Sequence, residues 1–402
     1  MEAYVLDWLN MLLRWAHVIT GIAWIGASFY FVGLDNGLLK PADPKDIDKG
    51  VGGETWAVHG GGFYHQQKYA RAPARLPEHL HWSFWESYST WLTGFALFTV
   101  LYLFNPGTFL IDKTVHDWSP AAAVVAALGF LVAFWVIYDA ICRIFGARKN
   151  GDLIVGALVF VFVVFAAWLS CALFAGRAAF LLVGAMLATT MSANVFFWII
   201  PGQREDVAAL RAGQPVNPAN GQRGKQRSVH NTYFTLPVVF TMLSNHYGFL
   251  YSGANNWVVL VVMMLAGALI RLSFVLRHKA LAEHRPVPWR YAIMGCVVLA
   301  GLVVALAPQP RAAAAASSVP TTPVTYAEVR AVIDQRCALC HNEQVQNKNV
   351  ALHTPALLKQ HAQAVYQQAS VLKLMPMNNA TQITDDERAL IKRWFEAGAP
   401  TH

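Results

Sequence analysis

The residues best suited to chemistry lie near the end of the chain, in the stretch RCALCHNEQ at 336–344. Two residues separate Cys337 from Cys340, and His341 follows at once. Cys-x-x-Cys-His is the attachment pattern of a c-type haem. The two thiols form thioethers with the haem vinyl groups, and the adjacent imidazole reaches the iron as proximal ligand. A sixth ligand has to come from further along, and LKLMPMNNAT offers Met375 and Met377. A thioether there raises the potential and suits electron transfer. Met375, which stands before Pro376 as is usual in small cytochromes c, is the preferred ligand. His353 and His361 read as surface or haem-edge residues. One covalent haem c is therefore expected on Cys337, Cys340, His341 and Met375.

The elements that would hold this group are short. Residues 326–336 have helical spacing and lead straight into Cys337. TDDERALIKRWFEAG, beginning at Thr384, is a closing helix with Thr384 as N-cap, Glu387 at the capping-box position and Gly398 as the stop. Trp394 and Phe395 are expected to pack on the first helix. Before this tail, residues 308–325 have the Pro, Ala, Ser and Thr composition of a linker. Extended at about 3.1 Å per residue, it reaches roughly 55 Å.

The rest of the chain is of another kind. Of 402 residues, 55% are hydrophobic and only 13% are charged, against about 25% charged in an ordinary soluble domain. Apolar stretches long enough for about 30 Å of hydrocarbon can be read at 8–34, 82–104, 120–141, 153–175, 178–200, 229–250, 257–276 and 289–306. The expected fold is all-α: a polytopic membrane bundle of about eight transmembrane helices over 1–307, then a small class I-like cytochrome c domain over 326–402. ETWAVHGGGFYHQQKYA, in the long first connection, reads as a small β-hairpin near 50–72. The other cysteines, Cys142, Cys171 and Cys296, are far apart in apolar surroundings and read as small buried hydrophobes.

The net charge of +8 sits in alternate connections, so it speaks of topology rather than of nucleic acid. Seventeen basic residues lie in one set of loops: Lys40, Lys45, Lys49, Lys68, Arg71, Arg75; Arg143, Arg148, Lys149; Arg204, Arg211, Arg223, Lys225, Arg227; Arg277, Lys279, Arg285. The opposite set holds two, Lys113 and Arg177. The positive-inside rule makes the first set cytoplasmic. Both termini and the haem domain are then periplasmic, which is where c-type haem attachment is completed.

Ionisable and amide side chains inside apolar spans are costly and point to function by default. Toward the outer side lie Arg14, His17, Asn245 and His246; toward the inner side lie Glu86, Asp139, Asn194, His230, Asn231 and Arg271. The plainer reading makes the charged ones snorkelling or structurally paired groups and the asparagines interhelical glue. His17 and His246 are at similar depth, so a buried haem b between them is an alternative to hydrogen-bonded core histidines.

RWAHVITGIAWIGASFYF, HGGGFYHQQKYARAPARLPEHLHWSFWESYSTWLTGFAL, SANVFFWIIPGQ and RSVHNTYFTLPVVFTMLSNHYGF, with VIDQRCALCH and LMPMNNATQITDDER in the tail, resemble the bacterial membrane-bound urate hydroxylases (urate oxidases) with a fused cytochrome c. The likeness runs over nearly the whole chain, although MPMNNAT stands where a stretch richer in glycine and proline is usual. It implies an inner-membrane oxidoreductase of purine breakdown that converts urate to 5-hydroxyisourate. Electrons pass to its own haem and on to a respiratory acceptor such as a cytochrome c or terminal oxidase. On that resemblance, His230, Asn231 and Thr232 with Glu86 as base form the catalytic group, and Arg271, Asn194 and His59 bind the urate anion. Arg14, His17, Asn245 and His246 then hold an intermediate carrier, or the substrate itself. No dinucleotide fingerprint is present. Two other readings remain: a quinol-oxidising electron-transfer protein with b- and c-type haems, and a transporter or copper-handling protein with a cytochrome sensor.

Overall fold

The computed structural model describes residues 2–70, 73, 75–307, 324–346 and 350–401. Part of the linker, 308–323, lies outside the described residues.

Each of the eight apolar stretches falls on a helix. These are α1 (Glu2–Asn36), α2 (Trp85–Phe98), α3 (Pro120–Phe145), α4 (Gly151–Leu173), α5 (Gly176–Asn194), α6 (Pro218–Ser244), α7 (Asn256–Ala282) and α8 (Arg290–Ala305). A wider helical turn, Thr99–Leu103, prolongs α2, and another, Val195–Ile199, carries α5 on into Ile200–Arg211. Among the described residues, five helices are long and apolar enough to cross a bilayer: α1, α3, α4, α5 with its continuation, and α7. The other three fall outside that set: α8 is apolar but short, α2 has only 14 residues before its wide turn, and α6 is polar through its first half.

The starts of these helices follow local chemistry. Ser119 caps α3 by accepting from the Ala122 amide, with Pro120 in the first turn. Asn217 caps α6 in the same way and Pro218 follows it. As a result α6 begins well before the apolar run 229–250, and residues 218–228 are helix rather than loop.

At the centre is α5, which packs against α2, α3, α4 and α6. Small residues let it do so: a Cβ added at Gly184 would lie 1.9 Å from the Thr241 hydroxyl of α6. Fully buried Phe180, Leu182, Met186 and Leu187 of α5 join Leu131, Phe134 and Leu260 in one core. Helix α1 lies on α2 and α7, and α8 covers α7.

Two small units flank the bundle. Strands β1 (Val51–His59) and β2 (Gly62–Tyr69) form an antiparallel hairpin with His59 opposite Gly62. Gly60 and Gly61 take positive φ at its tip, where a side chain would be strained. Lys68 ties the hairpin to Asp35 at the end of α1.

The tail folds around its own core. It contains α9 (Tyr326–Arg336), α10 (Pro355–Gln360), α11 (Ala362–Val365) and α12 (Asp385–Glu396). Capping boxes start both long helices, Thr325 with Glu328 and Thr384 with Glu387. Gly398 has φ +89° just beyond α12, as a helix stop should. Trp394 is fully buried with Val329, Ile333, Leu358 and Ile391, while Phe395 stacks on Tyr366.

Candidate functional site

Three groups of polar side chains stand out. The first lies where α3, α5 and α6 meet. Arg227 donates to Asp139 Oδ1 at 2.7 Å and to Asn194 Oδ1 at 3.0 Å. Asn194 Nδ2 donates to Asn231 Oδ1 and to the Tyr138 hydroxyl, both at 3.0 Å. The Tyr138 hydroxyl is 2.7 Å from His230 Nδ1. Asn231 Nδ2 in turn donates to the Met191 carbonyl. Asp139 also takes Trp198 Nε1 and Arg143, both at 2.7 Å. The structure thus unites Asn194, His230 and Asn231, and adds Arg227, Tyr138 and Trp198, which sequence reasoning did not assign to a site. A spacing of three and four places Arg227 on one face with His230 and Asn231, and that was the available signal.

Thr232 is buried, but its hydroxyl donates to the Ser228 carbonyl of its own helix. Glu86, in the first turn of α2, is half-buried. Its carboxylate has no hydrogen-bond or ion-pair partner among the described residues. The neighbouring Ser87 hydroxyl meets Ser192 of α5 at 3.1 Å, two residues before Asn194.

The second group centres on Arg271 of α7, which is 6% exposed. Its Nε and Nη2 have no hydrogen-bond partner among the described residues. One face of the guanidinium lies 3.6 Å from the centre of the Phe29 ring of α1. Leaving a buried charge unpaired costs several kcal/mol, so the arrangement is unfavourable to the folded chain alone. An anion among α1, α6 and α7 would offset that cost. His59 lies at the exposed hairpin tip, and no side-chain contact joins it to Arg271 among the described residues.

The third group is at the opposite end of the bundle from the hairpin. Asn245 Oδ1 accepts from the Tyr102 hydroxyl at 2.9 Å and from Arg177 Nε at 3.1 Å. His17 does not belong to it. Its Nδ1 faces the Thr90 carbonyl at 3.1 Å and the Thr93 hydroxyl at 3.2 Å, and its ring lies against Gly94 of α2. His246 is exposed just past α6, and Arg14 reaches back to Asn10. No hydrogen bond or ring contact joins His17 to His246 among the described residues.

In the tail, Cys337 packs at the edge of the core while Cys340 is exposed. Burial pushes the Cys337 thiol up to about 11. His341 Nδ1 is 2.9 Å from the Val350 carbonyl, which puts the proton on Nδ1 and leaves Nε2 free to bind a metal. Leu339, Val345 and Val371 remain exposed, and His353 Nδ1 is buried without a partner. Two thiols beside an imidazole with its Nε2 free are the donor types that a covalently attached haem would use. No cluster of three or more His, Cys, Asp or Glu side chains able to hold a bare metal ion occurs among the described residues.

The class defined by fold and site is a bundle of long apolar helices around a buried polar network, with one buried arginine whose Nε and Nη2 lack a hydrogen-bond partner among the described residues. The family model described as urate oxidase, N-terminal, matches residues 3–307, the whole bundle with its hairpin. The chain belongs to that family. Comparison with curated proteins and with solved structures gives no match.

Proposed function

We propose that the bundle oxidises urate to 5-hydroxyisourate and that the tail, carrying a covalent haem c, takes the electrons onward. Family membership supports a urate-related oxidoreductase. The observation that carries the site is Arg271, a buried guanidinium with two unpaired nitrogens stacked on Phe29. Urate is a planar anion at neutral pH, and a planar fork of donors suits its edge.

The reaction consumes urate and water and yields 5-hydroxyisourate, two protons and two electrons. Arg271 holds the anion. Glu86, whose carboxylate has no hydrogen-bond or ion-pair partner among the described residues, accepts the proton from the attacking water. The network of Asn194, Asn231 and His230 orients amide donors and acceptors beside it. In the tail, Cys337, Cys340, His341 and Met375 would hold the haem. A bound haem would supply a one-electron acceptor there, and a respiratory carrier such as a cytochrome c or terminal oxidase would be the onward partner.

The setting we propose is a bacterial inner membrane crossed eight times, with both termini and the tail periplasmic. The uneven distribution of basic residues supports that direction. A quinol-oxidising reading with a haem b on His17 and His246 is the weaker one, because His17 is engaged by α2 and His246 is exposed.

The test is spectroscopic. Membranes holding the haem-loaded protein are made anaerobic, urate is added, and the reduced c-type α-band is followed. Growth of the band with urate and not with a quinol is expected. Reduction by quinol alone overturns the proposal.

A further inference from the structure

The tail rests on the bundle through the loop that bears both candidate methionines. Met377 Sδ lies 3.8 Å from Arg177 Nη1, at the start of α5. That is a hydrogen-bond distance for sulfur. The same arginine holds Asn245 through Nε. Beside this contact Leu374 covers Gly248. A Cβ added to Gly248 would run into Leu374 Cδ2, and the leucine would have to move aside. Next to it, a groove of about 510 Å³ runs along the seam, lined by Gly107, Ile111 and Trp118 of the bundle with Asn379 and Ala380 of the tail. The contact is local and mixed: a cation on a sulfur, a leucine over a glycine, and the bundle's short turn Pro106–Phe109 against Met377–Asn379.

We propose that Met377 is the residue by which the tail docks on its own bundle, with Arg177 and Gly248 as its receptor. Its sulfur is committed to a guanidinium, and Met375 is therefore the methionine left for the haem. The role of Met375 rests on the haem reading above; the docking does not. Met375 is placed differently. Its amide donates to the Gln368 carbonyl, and its carbonyl accepts from Arg388, a side chain 7% exposed. Its backbone is thus anchored to the tail itself, as the backbone of an axial ligand has to be. The docking site joins the Tyr102–Asn245–Arg177 group to the haem-bearing unit and gives that otherwise unassigned group a purpose.

The experiment uses the full chain with haem c attached. A photo-reactive benzoylphenylalanine replaces exposed Ala380, and a protease site is placed in the linker. After illumination and cleavage, the tail is expected to stay covalently bound to the bundle. Arg177→Ala should lower that yield about tenfold, the worth of one hydrogen bond to a charged group, and Gly248→Trp should lower it by filling the space that Leu374 occupies. Met377→Leu, which keeps the volume and loses the sulfur, guards against a folding failure and should lower it too. Equal yields in all three variants overturn the docking. In the ferric protein, Met377→Leu should keep the weak near-infrared charge-transfer band of methionine-ligated haem, and Met375→Leu should lose it. The reverse pattern overturns the assignment. A chain that attaches no haem but still cross-links would sink the haem reading and leave the docking intact.

Discussion

The Arg227 guanidinium and the Asp139 carboxylate lie 2.7 Å apart with only 3% and 8% of their side chains exposed. They belong to different helices, α6 and α3. Arg227 spends its other donor on Asn194, so one arginine fixes three helices at the level of the buried amides. A pair this deep is held by geometry more than by its net energy, because desolvation consumes most of the Coulomb attraction.

Breaking that pair should be costly. Asp139→Asn is expected to lower stability by about 3–5 kcal/mol, because Arg227 is left buried and unpaired. Replacing both partners together by Leu and Met should cost less than the single change. Thermal unfolding in detergent reads the difference, and a neutral Asp139→Asn would show that the network is not structural.

Arg271 should behave in the opposite way. Arg271→Met removes a buried cation two of whose nitrogens lack a hydrogen-bond partner among the described residues, so stability is expected to rise by about 1–3 kcal/mol. Efficiency on urate should fall about a hundredfold, the consequence of truncating one member of a buried charged pair. Ordinary urate turnover in this variant would remove Arg271 from the substrate site.

The hairpin should respond to acid. Glu54 accepts from the Ala42 amide at 2.9 Å and from His65 Nε2 at 2.8 Å, and these bonds hold its carboxyl below the usual 4.5. A carboxyl lowered by folding contributes stability that is present above 4.5 and is lost as pH falls through the lowered value. Hydrogen exchange of the β1 and β2 amides should therefore accelerate as the pH falls below 4.5. Glu54→Gln should flatten that dependence; an unaltered profile would place the acid sensitivity elsewhere.

The helices were legible because apolar runs about 20 residues long have few alternatives. Thr384 with Glu387, and the glycines at 60 and 61, marked a helix start and a turn through rules that act within four residues. Arg227 was not legible as a site residue. It precedes the apolar run and carries a charge, so it counted with the basic loop. Only the cap at Asn217 and Pro218, eleven residues before the run, shows that the helix already includes it. Tyr138 was hidden for another reason: its partners Asn194 and His230 come from two other helices, and nothing local in a sequence states which helices meet. The tail motif could be read as chemistry, but its seat on Arg177 is 200 residues away in the chain.

The central position of α5 bears on how the chain is made. Its apolar window is 61% buried within the protein, against 28% for α3 and α4, and it is also less hydrophobic than either. The helix most enclosed by its neighbours is thus not the one that enters lipid most readily by itself. Synthesis delivers α3 and α4 first, and both are apolar enough to wait in a bilayer as a receiving wall. Helix α6, polar through its first half and pressed on α5 at Gly184, completes the enclosure afterwards. An enlarged side chain at Gly184 would then act before the protein is finished, stranding the pair α5–α6 at the translocon and exposing it to quality-control proteolysis.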